Sequence, residues 1–323
     1  MQLTRRMESD ENLVDGQWRK IVPNLAHCLR RRLNSCDCRL CVDGCLFRAL
    51  SVVTGGVELD CGECTLCGRC AAICPAGVFT FAGCDIEQQL LDWSVDENPL
   101  VSCYCGNRPG GRYGVDETGL PCLGALSPEA VVFLFLKKGA LISYDFTGCS
   151  CCINQRPVTR FFRALENTAK LLGPHIGARF TVITDEKQLS DEIARGRRSF
   201  LRSLGRDVVR LMKKERHTTC RNHDEGRRLP AKTRLLRDAL LSAAVEKKKE
   251  LTAKCLPTIT VEKWCTLCPR CTGMCPTGAV RLVKDEHKKK LMVDPYLCTS
   301  CFLCEKFCPE NAIIITPAQL LTG

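Results

Sequence analysis

Several features that mark large classes of proteins are missing from this sequence. No apolar run approaches the roughly 18 residues that a helix needs to cross a bilayer. The opening segment, MQLTRRMESDENLVDG, contains basic residues but no apolar stretch, so we expect no signal peptide. These absences favour a cytoplasmic protein.

The motifs that usually accompany bond-making chemistry are missing as well. The chain contains no paired nucleophile and base, no phosphate-binding loop and no flavin or nicotinamide fingerprint. We therefore expect a non-catalytic protein, with one thiol-based alternative.

Cysteine, by contrast, is abundant: the chain has 27 among its 323 residues. In a secreted protein this density would indicate a disulfide scaffold, but such scaffolds are short. Most of the cysteines here follow metal-cluster spacing, which favours a reducing compartment.

One spacing, Cys-x2-Cys-x2-Cys-x3-Cys-Pro, occurs three times. The runs comprise Cys64, Cys67, Cys70 and Cys74; Cys265, Cys268, Cys271 and Cys275; and Cys298, Cys301, Cys304 and Cys308. This is the bacterial spacing for [4Fe–4S] clusters, in which the fourth cysteine binds the other cluster of a pair. A structural zinc site is the alternative, but it leaves the third and fourth cysteines and the proline unexplained.

With these runs the chain resembles the two-cluster bacterial ferredoxins in two separate stretches, 34–90 and 255–323. In the C-terminal stretch the resemblance implies one cluster on Cys265, Cys268, Cys271 and Cys308. It implies a second cluster on Cys298, Cys301, Cys304 and Cys275.

The N-terminal stretch departs from the pattern. By the same resemblance, one cluster takes Cys45, Cys64, Cys67 and Cys70, and the other takes Cys36, Cys38, Cys41 and Cys74. Regular spacing would place a cysteine at position 35, where serine stands, and no proline follows Cys45. The second cluster could therefore have three irons or a non-cysteine ligand. Cys61 could be a spare ligand or a small buried hydrophobic residue.

The middle of the chain, 91–186, alternates predicted strands and helices, which indicates a parallel sheet covered by helices. The predicted strands are 98–105, 119–124, 140–146 and 180–184. Helices are predicted from Ser127-Pro128-Glu129 to Lys138, and over 157–172. Six cysteines fall at strand ends, where open parallel sheets bind ligands: Cys103, Cys105, Cys122, Cys149, Cys151 and Cys152. They could hold an iron–sulfur cluster, be buried structural cysteines beside a reactive pair, or form a thiol–disulfide site.

This stretch resembles the delta subunit of methyl-viologen-reducing hydrogenase. The matching residues are Cys122-x-Gly124, Ser127-Pro128-Glu129, Lys138-Gly139-Ala140 and Gly148-Cys149. The resemblance implies a small iron–sulfur cluster, [2Fe–2S] or another type, and electron transfer from a hydrogenase to a disulfide-reducing partner. It makes Cys103, Cys105, Cys122, Cys149 and Cys152 candidate ligands. Because the cysteine spacings differ from the family's, cluster type and ligand set stay open.

The positive charge is concentrated in one segment. Residues 187–254 contain 20 Lys and Arg against nine Asp and Glu, and the whole chain has a net charge of +11. Apolar residues at helical spacing predict amphipathic helices packed on the cluster modules. The charge would suit an acidic redox partner. A solvated helix face is the plain alternative, and nucleic-acid binding is disfavoured because no recognition motif is present.

Together these features predict two α+β ferredoxin-like modules that flank an α/β parallel-sheet domain, with a helical lead-in at 1–33 and a basic helical segment. We expect an iron–sulfur protein that relays single electrons through several [4Fe–4S] clusters, as a subunit or accessory of a larger anaerobic oxidoreductase. The alternative is a reductase that uses the middle cysteines to reduce disulfides, with electrons supplied by the ferredoxin modules.

Overall fold

A computed structural model describes residues 20–82, 86–92, 100–101, 120–137, 142–173, 180–191, 194, 227–284 and 289–321. Its strands are β1 Ile21–Pro23, β2 Leu50–Val53, β3 Gly56–Leu59, β4 Phe79–Phe81, β5 Leu100–Val101, β6 Ile142–Asp145, β7 Phe180–Ile183, β8 Thr258–Val261, β9 Val280–Lys284, β10 Lys289–Val293 and β11 Ile313–Thr316.

The helices are α1 Leu29–Arg32, α2 Leu40–Gly44, α3 Arg69–Ile73, α4 Ile86–Asp92, α5 Pro128–Lys137, α6 Gln155–Leu172, α7 Ala231–Leu241, α8 Val245–Cys255, α9 Arg270–Met274 and α10 Leu303–Lys306. Short 3₁₀ turns cover Leu25–His27, Leu123–Ala125, Pro295–Leu297 and Gln319–Leu321.

Two parts of the chain, which we call the N-terminal and C-terminal modules, share one order of elements. In the N-terminal module the outer strands β1 and β4 pair antiparallel, and β2 and β3 form a hairpin between the two cysteine runs. In the C-terminal module β8 and β11 pair in the same way around the hairpin of β9 and β10. Each module thus encloses its cysteine loops between an outer strand pair and a central hairpin.

Alternation of buried and exposed side chains explains these strands. In β11, Ile313 and Ile315 are buried, whereas Ile314 and Thr316 face solvent. Successive strand residues point to opposite faces, so the two isoleucines cover the cluster loops on one side. Gly55 turns the hairpin between β2 and β3 at φ +74°, a conformation that glycine adopts without steric cost.

The start of the N-terminal module corrects the sequence prediction of a helical lead-in. Ile21–Pro23 is a strand that pairs with Phe79–Phe81, although apolar residues here recur at helical spacing. Pro23 disfavours a continuous helix, and the free edge of β4 supplies backbone partners instead. Residues 20–33 therefore belong to the module, and helical structure within them is limited to the 3₁₀ turn at Leu25–His27 and to α1; residues 1–19 lie outside the described part of the chain.

The middle domain contains a parallel sheet in the order β5, β6, β7. The helix start predicted at Ser127 is confirmed, because its Oγ accepts a hydrogen bond from the Ala130 N–H at 3.2 Å. Of the short strand predicted over 119–124, the described residues keep only an isolated β-bridge at Leu120. Leu123–Ala125 forms a 3₁₀ turn instead, and the Gly124 N–H donates to the Cys122 sulfur at 3.4 Å.

Helix α5 lies at the centre of the main hydrophobic core. Val131, Val132 and Leu134 are fully buried, and α6 and α7 both pack against this helix. Helix α7, which was predicted to pack on the cluster modules, packs mainly on α5 through Leu236 and Leu240. It also contacts the N-terminal module, because the Lys232 ammonium donates to the carbonyl oxygen of Ala72 at 2.8 Å. Within the described ranges, no helix combines the length and apolarity needed to cross a membrane.

Candidate metal centres

The first C-terminal site is a small cavity lined by all four cysteines that the sequence assigns to one cluster. Cys265, Cys268, Cys271 and Cys308 surround it together with Pro309 and Ile313. Helix α9 carries Cys271, and Cys308 arrives from the chain segment that follows α10. The Ala312 N–H donates to the Cys308 sulfur at 3.3 Å. Four thiols around one cavity suit a cubane, in which each iron takes one cysteine.

The second C-terminal site joins Cys298, Cys301 and Cys304 to Cys275 from the preceding run. Burial, together with the nearby thiols of Cys301, Cys298 and Cys275, raises the pKa of Cys304 to about 12. Burial, with smaller contributions from Cys301 and Cys275, likewise raises the pKa of Cys298 to about 12. Several thiolates so close together repel one another, and bound metal cations would remove that repulsion.

Left-handed backbone residues recur at matching places in these loops. Leu66, Leu267 and Ser300 each precede the second cysteine of a regular run, with φ between 53° and 57°. In each of the four runs, the residue three positions after the fourth cysteine also has a left-handed backbone. These residues are Arg48, Gly77, Gly278 and Asn311. Positive φ is uncommon in non-glycine residues, so the recurrence indicates one shared loop geometry. Cys45 therefore occupies a fourth-cysteine position although no proline follows it.

The first N-terminal site brings Cys45 to Cys64, Cys67 and Cys70. Burial raises the pKa of Cys67, and the thiols of Cys45 and Cys64 contribute to the shift. Burial also raises the pKa of Cys70, and the thiols of Cys67 and Cys64 contribute smaller increases. This is the set predicted for one cluster. Cys61 is exposed and not a small buried residue, although it lies near enough to Cys64 to affect that thiol's pKa.

The second N-terminal site holds one more cysteine than the sequence predicted. Burial, together with the nearby thiols of Cys74, Cys38 and Cys28, raises the pKa of Cys41 to about 12. Cys28 was not among the predicted ligands. Cys36, which was predicted, is buried and influences Cys38. Five thiols thus lie near a site that needs four.

The structure describes four of the six cysteines that the sequence places at strand ends in the middle domain. Cys122, Cys149 and Cys152 are buried, and Cys151 is exposed. Cys103 and Cys105 lie outside the described residues, so the convergence predicted at the sheet edge stays a prediction. Within the described part of the chain, no three His, Cys, Asp or Glu side chains approach closely enough to hold a single metal ion. A cubane needs a wider arrangement, because each thiolate binds a different iron.

The middle domain packs directly on the first N-terminal site. A Cβ atom built on Gly124 would lie 3.0 Å from the carbonyl oxygen of Cys67, so the two backbones are in close contact. The Asn154 side-chain amide donates to the carbonyl oxygen of Thr65 at 3.0 Å. Cys122 and Cys149 belong to the core against which Cys67 packs.

The two modules contact each other beside their second sites. The Arg32 guanidinium donates to the carbonyl oxygen of Met274 at 3.0 Å, and Lys306 forms an ion pair with Asp37. The modules also share an apolar cluster in which Leu303, fully buried, packs with Cys36 and with the partly buried Cys38 and Cys301. Cysteines of both second sites therefore share one apolar contact.

Comparison with known proteins agrees with the geometry of the C-terminal module. Residues 264–312 match the family described as "4Fe-4S dicluster domain". The chain is 41% identical over 51 residues to an uncharacterised ferredoxin of Methanocaldococcus jannaschii, which is 16% of this chain and 66% of the ferredoxin. No solved structure matches the chain significantly.

Two longer relatives are subunits of redox complexes. The chain is 38% identical over 66 residues to a subunit of the ferredoxin/F420H2-dependent CoB-CoM heterodisulfide reductase of Methanosarcina acetivorans. It is 29% identical over 69 residues to a subunit of the H2:CoB-CoM heterodisulfide,ferredoxin reductase of Methanothermobacter marburgensis. The matches span 17% and 18% of this chain, and 40% and 37% of these relatives. The C-terminal region is therefore an iron–sulfur module of the two-cluster ferredoxin type.

Proposed function

We propose that this chain is an electron-transfer subunit of a larger oxidoreductase, with a relay of four [4Fe–4S] clusters in two modules. The observation that carries the proposal is the contact around Leu303, where cysteines of both second sites lie together. A relay needs its centres in sequence, and this contact would join the N-terminal pair of clusters to the C-terminal pair.

In the C-terminal module, Cys265, Cys268, Cys271 and Cys308 would hold one cluster, and Cys275, Cys298, Cys301 and Cys304 the other. In the N-terminal module, Cys45, Cys64, Cys67 and Cys70 would hold the third. The fourth would lie on Cys38, Cys41, Cys74 and one further cysteine. When bound, each cubane exchanges one electron, at a potential that sulfur hydrogen bonds and burial adjust.

The protein supplies those adjustments through its loops. The N–H groups of Leu66 and Ser300 donate to the sulfurs of Cys64 and Cys298, and both donors are left-handed residues. Donation to a thiolate stabilises its negative charge, so it would favour the more negative, reduced state of the site. Burial of Cys70 and Cys304 excludes water, which favours the less highly charged state.

The proposed partners are redox proteins, since the longer relatives are named as subunits of such complexes. Helix α8 presents exposed Lys247 and Lys249, and Lys254 on the same helix pairs with Glu250 at 2.6 Å. This surface would suit an acidic partner, because opposite charges accelerate encounter.

A cluster in the middle domain is also part of the proposal. Its ligands would be those implied by the resemblance to the hydrogenase delta subunit, namely Cys103, Cys105, Cys122, Cys149 and Cys152. Since Gly124 and Asn154 contact the loop of Cys64 and Cys67, electrons would pass between this domain and the first N-terminal site.

Counting electrons tests this proposal. Anaerobic reductive titration of the loaded chain should take up about four electrons, one for each cubane, and slightly more if the middle domain holds a cluster. EPR of the reduced protein should show interacting clusters. The variant Cys301→Ala, which removes one assigned ligand at the module contact, should lose between about one and four irons per chain and change the EPR signal of that cluster. Uptake of only about two electrons by the unaltered chain would contradict a four-cluster relay.

The thiol-active alternative rests on Cys151, whose exposed thiol donates to the carbonyl oxygen of Gly148 at 3.4 Å. If this alternative holds, alkylation of Cys151 in the loaded protein abolishes reduction of a disulfide substrate. Under the electron-relay proposal, the same modification leaves electron uptake unchanged.

A further inference from the structure

The second N-terminal site raises the question of which cysteine completes it, because the sequence pattern has no cysteine at position 35. We propose that Cys28, rather than Cys36, is the fourth ligand there, together with Cys38, Cys41 and Cys74. This inference rests on the proposed function only in requiring that the N-terminal module binds two clusters.

The strongest support is the equivalence of the two modules at their outer strands. Where β1 ends, the Asn24 N–H donates to the carbonyl oxygen of Val78 at 2.7 Å. Where β8 ends, the Glu262 N–H donates to the carbonyl oxygen of Ala312 at 2.9 Å. These two bonds occupy the same place, because each lies one residue beyond the last pair of the outer strands.

From these equivalent points the chain makes a turn to a cysteine in both modules. The Cys265 N–H donates to the carbonyl oxygen of Glu262 at 3.1 Å, three residues back. In the N-terminal module the Cys28 N–H donates to the carbonyl oxygen of Leu25 at 2.9 Å. The bond equivalent to that of Cys265 is made by the His27 N–H, which donates to the carbonyl oxygen of Asn24 at 3.1 Å. Cys28 therefore lies one residue beyond the position that Cys265, the first cysteine of its run, takes in the C-terminal module.

Packing agrees with this placement. Cys28 is 7% exposed and shares an apolar cluster with Cys41 and Cys74. Cys36 is buried in a different cluster, which holds Leu303 of the other module and, among the proposed ligands, Cys38 but neither Cys41 nor Cys74.

The residues between Cys28 and Cys38 then form an insertion in the first cluster loop. Two residues separate the corresponding Cys265 and Cys268, whereas nine residues lie here and include α1. The Arg30 guanidinium donates to the carbonyl oxygen of Cys38 at 3.2 Å, which holds the end of the insertion against the site. Arg32 and Asp37, which also belong to the insertion, contact the C-terminal module. Cys36 is thus a thiol of the interface.

The test compares Cys28→Ala with the matched variant Cys36→Ala, in the full chain purified anaerobically. Cys28→Ala should lose between about one and four irons per chain, as a three-iron cluster forms or the site empties. Cys36→Ala should keep the iron content of the unaltered chain. The EPR signals of the C-terminal clusters report in both variants that the chain is folded.

Loss of iron in Cys36→Ala, or full iron content in Cys28→Ala, would overturn the assignment. Either result, with about sixteen irons in the unaltered chain, would leave the proposed relay intact. About eight irons in the unaltered chain would overturn both proposals. If Cys28→Ala is too unstable to purify, Cys28→Ser replaces it, and full iron content in Cys36→Ala still excludes Cys36 as a ligand.

Discussion

Gly68 offers a sharp test of how the middle domain packs on the first N-terminal site. It follows Cys67 directly and has a φ of +69°. A Cβ atom added there would lie 2.4 Å from the Cβ of Ala125 and 2.6 Å from the Cζ of Phe81. Real Cβ atoms do not approach so closely, so Gly68→Ala must push the 3₁₀ turn of the middle domain away from the cluster loop.

The magnitude follows from two contributions. A non-glycine residue in the left-handed region costs about 1–2 kcal/mol. Overpacking at a fixed contact adds about 1–3 kcal/mol. Gly55 is the matched control, because it has a φ of +74° but no atom within 4 Å of an added Cβ. Gly55→Ala should therefore show the conformational cost alone.

The assay is thermal loss of cluster absorbance in the anaerobic, loaded protein. A difference of about 1–3 kcal/mol corresponds to a midpoint roughly 2–12 °C lower for Gly68→Ala than for Gly55→Ala, since each kcal/mol shifts the midpoint of a domain this large by about 2–4 °C. Equal midpoints in the two variants would refute the close packing inferred at Gly68.

Buried groups supply three further predictions. Leu303→Ala should lower the free energy of unfolding by about 2–5 kcal/mol, because it leaves a cavity at the module contact, and should slow electron exchange between modules in stopped-flow reduction. Glu87→Gln should cost about 1–2 kcal/mol in thermal unfolding, because Arg234, which is 42% exposed, loses its buried carboxylate partner. Burial raises the pKa of Cys255 to about 12, so its folded thiol keeps its proton longer than the unfolded one does. Stability should therefore fall as pH rises from about 9 towards 12, and iodoacetamide at pH about 8 should label exposed Cys151 but not Cys255.

Much of the candidate site could be predicted because cysteine spacing fixes local geometry. In the C-terminal module the residues between cysteines are few, so the four thiols around one cavity are those that the spacing indicates. The helix start at Ser127 was equally predictable, since its hydroxyl caps a local backbone group. Short-range chemistry of this kind is visible in sequence.

Other features depend on contacts between distant segments. Cys28 escaped prediction because an insertion separates it from Cys38, and only the pairing of β1 with β4 reveals its place. The same pairing makes Ile21–Pro23 a strand despite helical periodicity. Leu123–Ala125 forms a 3₁₀ turn where a strand was predicted, because it packs on the loop of Cys67.

Iron and acid-labile sulfide per chain, measured on anaerobically purified protein, test the central claim most directly. The account predicts about sixteen of each, from two intact two-cluster modules, and about two to four more irons if the middle domain binds a cluster. About eight would mean that the N-terminal module binds no clusters. Zinc in place of iron would contradict the electron-relay account altogether.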